Sequence, residues 1–309
     1  MNAWGIDLGG TKIECAVFDM ANKMEVVIRK RIATESDKGY QHILSQVKKL
    51  VDSVTDEISE KPVNIGFATP GVLEPGTNLM KNCNSVCMNG QPMKDDLERT
   101  LGIPVKLAND ANCFALAETL MGAGKDYPNA KVVFGVIMGT GVGGGLVVHN
   151  KIIEGHHGIG GEWGHNQLEE NDNLCYCGKY GCVEQVISGP ALEKYYFQRT
   201  GIALNLKQIL EKYYNKKEDE ANSTIERLLE YYGKGISTIV NVLDPDLIVI
   251  GGGVGNIDLL YSEGYERIKK YVFNKGKLST PICKPLLGDS AGVYGAALLW
   301  QDSTSEKPY

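Results

Sequence analysis

Residues 3–18 read AWGIDLGGTKIECAVF, and residues 132–149 read VVFGVIMGTGVGGGLVVH. Each stretch is an apolar run, a glycine turn that carries a threonine, and a second apolar run. Short apolar runs bounded by glycine read as buried strands, so each stretch predicts two strands folded back on one another. Two such hairpins, roughly 130 residues apart, suggest a duplicated plan. Leu247–Ile250 followed by Gly251-Gly252-Gly253 is a further strand with a glycine exit.

Helical patterns lie between the strands. Tyr40, Ile43, Leu44, Val47, Leu50, Val51, Val54 and Ile58 recur at spacings of three and four, which predicts an amphipathic helix over 38–60. Further helices are expected over 93–101, 113–120, 191–232 (with breaks near Gly201 and over 215–220), 236–243, 259–273 and 292–300. Short strands are expected at Val63–Phe67 and Val105–Ala108. Strands alternating with helices define an α/β class. The Asn-, Gly- and Pro-rich stretch 72–91 reads as a long loop, a kind of element that is usually functional. The polar residues 303–309 read as a frayed end.

Glycine turns let backbone N–H groups approach phosphate oxygens, and a threonine hydroxyl adds a donor. Gly9, Gly10, Thr11 and Lys12 in the first turn, with Gly139, Thr140, Gly141 and Gly143 in the second, are therefore candidate phosphate sites. Neither turn has the P-loop spacing. Asp7, at the end of the first strand, is placed to hold the Mg2+ that accompanies a nucleotide. Asp110 follows a strand end at the start of a helix, and ligands gather at such strand ends in open α/β folds. It is the candidate general base for phosphoryl transfer, with helix capping as its structural alternative.

Residues 161–185, GEWGHNQLEENDNLCYCGKYGCVEQ, add a different chemistry. His165, Cys175, Cys177 and Cys182 supply one imidazole and three thiolates, a full tetrahedral set for zinc with no open position for water. The zinc is therefore expected to clamp a loop and to take no part in catalysis. Glu162 and Glu184 flank the cluster and stay available for another partner. With Asn84, Asn109 and His165 they offer the amides and planar acceptors that bind the adjacent hydroxyls of a polyol.

Composition bounds the rest. The 309 residues suit two domains, and a net charge of −6 with no basic stripe argues against nucleic acid as the main partner. Eight cysteines, five of them scattered, suit a reducing cytosolic compartment better than a disulfide framework. No apolar run reaches transmembrane length, and no leader pattern precedes Ala3.

Taken together, DLGGTK at 7–12, NDAN at 109–112, GTGVGGG at 139–145, GEWGH at 161–165, CYCGKYGCVE at 175–184 and DPDLIVIGGG at 244–253 resemble the ROK family of sugar kinases. The likeness runs over nearly the whole chain. It implies an actin-like, hexokinase-type (ribonuclease H-like) fold of two α/β domains, 1–108 with 291–309 and 109–290, with ATP and Mg2+ in a cleft between them. It implies Asp110 as catalytic base and Asn84, Asn109, Asp110, Glu162, His165 and Glu184 as sugar contacts. It also implies structural zinc on His165, Cys175, Cys177 and Cys182, and an adenosine site near Gly251, Gly252, Gly253 and Val254. Family members are commonly homodimers. KNCNSVCMNGQP at 81–92, GEWGHNQL at 161–168 and GDSAGVYGAALLW at 288–300 look most like the fructokinase and mannokinase branch, so phosphorylation of D-fructose or D-mannose at the 6-hydroxyl is expected. Glucose, allose, N-acetylglucosamine and N-acetylmannosamine are the alternative sugars. A sugar-responsive regulator of the same family is the remote alternative, disfavoured by the acidic charge and by a first strand beginning at Ala3. Ala68 stands where the family frequently has glycine, and Cys87-Met88 departs from the usual sugar-loop residues.

Overall fold

The structure is a computed structural model, and it describes residues 2–171, 173–215 and 218–301. The expected frayed end, 303–309, lies outside the described residues. In chain order the first half runs β1 (Asn2–Leu8), β2 (Lys12–Asp19), β3 (Glu25–Ala33), α1 (Tyr40–Ile58), β4 (Ile65–Thr69), β5 (Val72–Leu73), β6 (Met80–Lys81), α2 (Met93–Leu101), β7 (Val105–Asn109) and α3 (Asp110–Leu120). There follow β8 (Val132–Met138), β9 (Val142–Val148), β10 (Lys151–Ile152), α4 (Glu184–Ile187), α5 (Gly189–Thr200), α6 (Leu206–Tyr214) and α7 (Asp219–Leu243). The chain closes with β11 (Leu247–Gly251), α8 (Gly252–Gly255), α9 (Glu263–Tyr271), β12 (Ile282–Cys283) and α10 (Ala291–Leu298).

One plan is used twice. β1 and β2 pair antiparallel down to Leu8↔Ile13, which closes the 9–12 turn. β4 and then β7 add in parallel beside β1, giving the sheet order β3-β2-β1-β4-β7. Likewise β8 and β9 pair antiparallel down to Met138↔Val142, and β11 and β12 add in parallel, in the order β9-β8-β11-β12. Both hairpins expected from the glycine turns are present in register.

Two compact units divide the chain over its described residues: Met1–Gly122, Asn150–Gly160 and Leu287–Tyr309 in the first, Ala123–His149 and Gly161–Leu286 in the second. The first core joins Ile6, Leu8, Ile13 and Phe67 of the sheet to Ile43, Val47, Leu50 and Val54 of α1, all fully or nearly fully buried. The second joins Val136, Met138, Ile248 and Ile250 to Ile225, Leu228, Leu229, Tyr232 and Ile236 of α7. In both helices the buried residues keep the three-and-four spacing of an apolar stripe. α3 packs on α10 so closely that a Cβ on Gly295 would overlap the Cys113 backbone. That contact keeps α3 in the first unit. The stretch 72–91, expected to be a loop, contains the short antiparallel pair β5–β6. No helix among the described residues is long and apolar enough to cross a membrane.

α10 lies against β1 and β4 through glycines. A Cβ on Gly66 would overlap the Ala296 carbonyl oxygen, and one on Gly5 that of Val293. The obstacle is backbone, which cannot rotate away as a side chain can. Gly66→Ala is therefore expected to destabilise the chain by about 3 kcal/mol, the upper part of the overpacking range. The midpoint of denaturant unfolding measures it, and an unchanged midpoint would contradict this packing.

Candidate active site

In the first unit the 9–12 turn is tightened by Gly9 N–H donating to the Lys12 carbonyl at 3.0 Å. The Thr34 hydroxyl donates to Gly9 O at 2.6 Å, the Ser36 hydroxyl to Gly10 O at 2.9 Å, and Thr34 N–H to Thr11 O at 3.0 Å. With these carbonyls turned toward the residues after β3, the trans N–H groups of Gly10, Thr11 and Lys12 face the other way. That is the arrangement an anion needs. The loop carrying Asn84 abuts the turn, since a Cβ on Gly10 would come within 3.0 Å of the Ser85 hydroxyl. Asn84 itself is exposed.

β7 delivers Asn109 and Asp110. The cap of α3 is Asn109, whose Oδ1 accepts from Ala111 N–H at 2.9 Å, and not Asp110. Asp110 occupies the first helical turn, is exposed, and accepts from Ala111 N–H at 2.7 Å. A carboxylate in the first turn of a helix gains from the helix dipole. Asp7 is different. Burial first, then the negative charges of Asp110 and Glu14, raise its carboxyl to about 6, against the opposing pull of Lys12 and Arg31. Gly292 leaves the space for it, because a Cβ there would come within 2.8 Å of an Asp7 oxygen. A half-buried carboxylate with a second one near enough to raise it is a donor set suited to a hard divalent cation.

In the second unit the 139–141 turn closes with Gly139 N–H donating to Gly141 O at 2.9 Å, and Gly189 N–H donates to Gly139 O at 2.8 Å. Gly252 takes φ +85, and any Cβ there would strike Met138. Gly253 lies beside Gly139, with its nitrogen 3.6 Å from where a Gly139 Cβ would be. Thus the two glycine runs expected to meet phosphate and adenosine converge. The run after β11, expected as a plain exit, forms the one-turn helix α8, which includes Val254.

Segment 161–165 is fixed by its neighbours. Buried Trp163 donates its indole N–H to Gly143 O at 2.9 Å, and Gly164 sits where any Cβ would overlap the Val142 carbonyl. Glu162 and His165 flank this anchor. Glu184 opens α4, and its Oε2 accepts from Val142 N–H at 3.0 Å. Burial, then the neighbouring Glu184 charge, raises the Glu162 carboxyl, while His165 opposes this.

His165, Cys175, Cys177 and Cys182 come together with their ligand atoms all within 4.8 Å of one another. His165 Nδ1 is 3.5 Å from Cys175 Sγ, and Cys177 Sγ is 3.6 Å from Cys182 Sγ. Tetrahedral zinc–thiolate bonds imply sulfur separations of about 3.8 Å, so the donor set fits zinc. Burial raises the Cys175 and Cys182 thiols, Cys182 to about 12, so a bound ion would have to bring about their deprotonation. Tyr176, not among the expected site residues, sets its hydroxyl 2.8 Å from His165 Nε2, the ring nitrogen other than the one beside Cys175. Its place between two ligating cysteines was the signal.

Residues 3–303 match the ROK family. The chain belongs to the ROK family. It is 36% identical to the N-acetyl-D-glucosamine kinase of Vibrio atlanticus (strain LGP32), over 96% of this chain and 98% of that one. It is 34% identical to the N-acetyl-D-glucosamine kinase of Pasteurella multocida (strain Pm70), over the same shares. Among solved structures it superposes on the ROK hexokinase of Thermus thermophilus with a TM-score of 0.85 at 29% identity, covering 96% and 97% of the two chains. A ROK family glucokinase from Streptomyces griseus, solved with glucose and AMPPNP, gives a TM-score of 0.78 at 26% identity, covering 96% and 98%. The fold is therefore the actin-like, hexokinase-type α/β fold of two domains.

The expected preference for fructose or mannose is corrected by the N-acetyl-D-glucosamine kinases, which match over their full length. The stretches behind that expectation are largely scaffold. Residues 291–298 are α10 against the sheet, Trp163 and Gly164 are core, and 80–91 is bound to itself through Met80 N–H to Gln91 O and Cys83 N–H to Asn89 Oδ1.

The Asp7 shift has a sign that can be checked. The folded chain holds this proton more tightly than the unfolded one, whose carboxyl sits near 3.8. The associated stability is full below that value and is lost as pH rises through about 6. Asp7→Asn is expected to be more stable than the wild type by about 2 kcal/mol at neutral to mildly alkaline pH, with the gap closing in acid. Unfolding free energies across that range measure it, and a pH-independent gap would refute the assignment.

Proposed function

We propose that the protein is an ATP-dependent kinase that transfers the γ-phosphoryl group to the 6-hydroxyl of N-acetyl-D-glucosamine. The observation that carries this reading is the 36% identity, over nearly all of both chains, to an N-acetyl-D-glucosamine kinase. The intact chemistry of both units supports it: Asp110 in the first turn of α3, two pinned glycine turns, and Glu162, His165 and Glu184 held beside the cysteine cluster.

In this reading Asp110 accepts the proton of the attacking hydroxyl. Phosphoryl transfer has a loose transition state, so the proton leaves late and an ordinary carboxylate suffices. Asn84, Asn109, Glu162, His165 and Glu184 bind sugar hydroxyls and so orient the nucleophile. The turns Gly9–Lys12 and Gly139–Gly143 bind phosphate oxygens through backbone N–H groups, and Gly251–Val254 borders the adenosine. Asp7 would hold Mg2+, which when bound neutralises phosphate charge. His165, Cys175, Cys177 and Cys182 would hold zinc, which has no open position and serves as a brace. Assembly as a homodimer belongs to the same reading and rests on the family resemblance.

A coupled ADP-release assay over a sugar panel tests the proposal. N-acetyl-D-glucosamine is expected to give the highest kcat/KM; a better fructose, mannose or glucose substrate would refute the preference. Asp110→Asn is expected to retain sugar binding while kcat falls by about 10²–10⁴-fold. Chelation, or Cys177→Ala, is expected to raise the sugar KM with one equivalent of zinc lost by metal analysis. Unaltered sugar affinity in zinc-free protein would contradict the brace.

A further inference from the structure

Segment 162–169 carries two groups proposed to read the sugar and the first proposed zinc ligand, with Trp163 and Leu168 as its apolar residues. It stands on one face of α7. Arg227, Tyr231 and Gly235 lie at i, i+4 and i+8, so they form a single stripe along the helix. At one end of the stripe, a Cβ on Gly235 would sit 3.1 Å from the Trp163 ring and 3.9 Å from Leu168, so the missing side chain makes room for both. At the other end Arg227 grips Glu169. Its two terminal nitrogens donate to the two carboxylate oxygens at 2.8 and 2.5 Å. The Tyr231 hydroxyl donates to one of these oxygens at 2.6 Å and Asn171 Nδ2 to the other at 2.5 Å.

The guanidinium is itself confined. Its central carbon lies over both the Tyr195 and Tyr231 rings, 4.7 and 4.6 Å from their centroids, and the ion pair is mostly buried, at 15% and 19% side-chain exposure. A planar fork over aromatic faces, bonded in parallel to a carboxylate, is held in an orientation that an ammonium cannot reproduce. Beyond Glu169 the arm returns directly to the cluster: Leu168 and Glu169 N–H both donate to Gly181 O, next to Cys182, and Gln167 bridges Cys182.

We propose that Arg227, through Glu169, is a positioning residue for the sugar-reading segment and its metal loop: α7 fixes the arm from outside, so that the four metal ligands and Glu162 converge before a ligand arrives. This inference rests on the reading of 162–184 as a zinc-braced sugar site. Arg227 touches neither sugar nor metal in this scheme. It lowers the ordering cost of binding both.

The test uses Arg227→Lys and Glu169→Gln, which preserve bulk and can fold even if Arg227→Met cannot. In both, zinc release to a chromogenic chelator is expected to speed up by roughly 10-fold, at the lower end of what loss of a ligand-orienting partner causes. The KM for N-acetyl-D-glucosamine is expected to rise by about 5- to 10-fold with the KM for ATP unmoved, the pattern of lost substrate positioning. Folded variants that show a lower Tm alone, with wild-type zinc release and sugar KM, would overturn the inference by making the pair an ordinary structural bond. Equal rises in the sugar and ATP KM values would overturn it as well. A wild-type protein that binds no zinc would sink both this inference and the reading beneath it, whereas a zinc-bound wild type with indifferent variants would sink the inference alone.

Discussion

A half-buried carboxylate at the end of a strand bears on much of the first unit. Asp7 needs space, so residue 292 is glycine. It needs its repulsion from Glu14 contained, and Arg29 and Arg31 on the next strand both pair with Glu14, whose side chain is 1% exposed. α10 passes close by, and residues 5 and 66 have no side chain where it does. The glycines that admit α10 and the arginines that pair with Glu14 thus surround one partly buried acidic group.

The second unit solves a different problem with the same strand plan. Residues 161–185 are too polar to be held by burial alone. Trp163 does both: it buries its ring in the core while tying its indole N–H to β9, and Val183 and Leu168 join it in the core. Elsewhere the segment is held by directional bonds, from Glu184 to Val142 and from the cysteine cluster to itself. Directional bonds fix angles as well as distances, which suits the proposed role of these side chains in meeting several hydroxyls at once.

Much of this was legible in the sequence because its signals are local. The apolar period of α1 and the glycine-closed hairpins are written in neighbouring residues, and so is the cysteine spacing, which places four donor atoms together. What was not legible depends on distant partners. The first unit keeps α3 because Cys113 meets Gly295, and Glu169 finds Arg227 fifty-eight positions away. The glycines after β11 read as a turn because glycine is a poor helix former, yet a single helical turn forms there. Sugar preference was misread for a related reason. Hexoses share most of their hydroxyls, and discrimination by single contacts is small beside the scaffold signal that dominates the motifs.

The path of the chain has a consequence for the order of assembly. β1, β4 and β7 are made early, but the helix that covers Gly5 and Gly66 spans residues 291–298, beyond every residue of the second unit. During synthesis the first sheet therefore waits with one glycine-lined face bare, while nearly all of the second unit can already close on itself. The strand that emerges first belongs to the unit that is completed last, and that interval is when the chain most needs protection from wrong pairings.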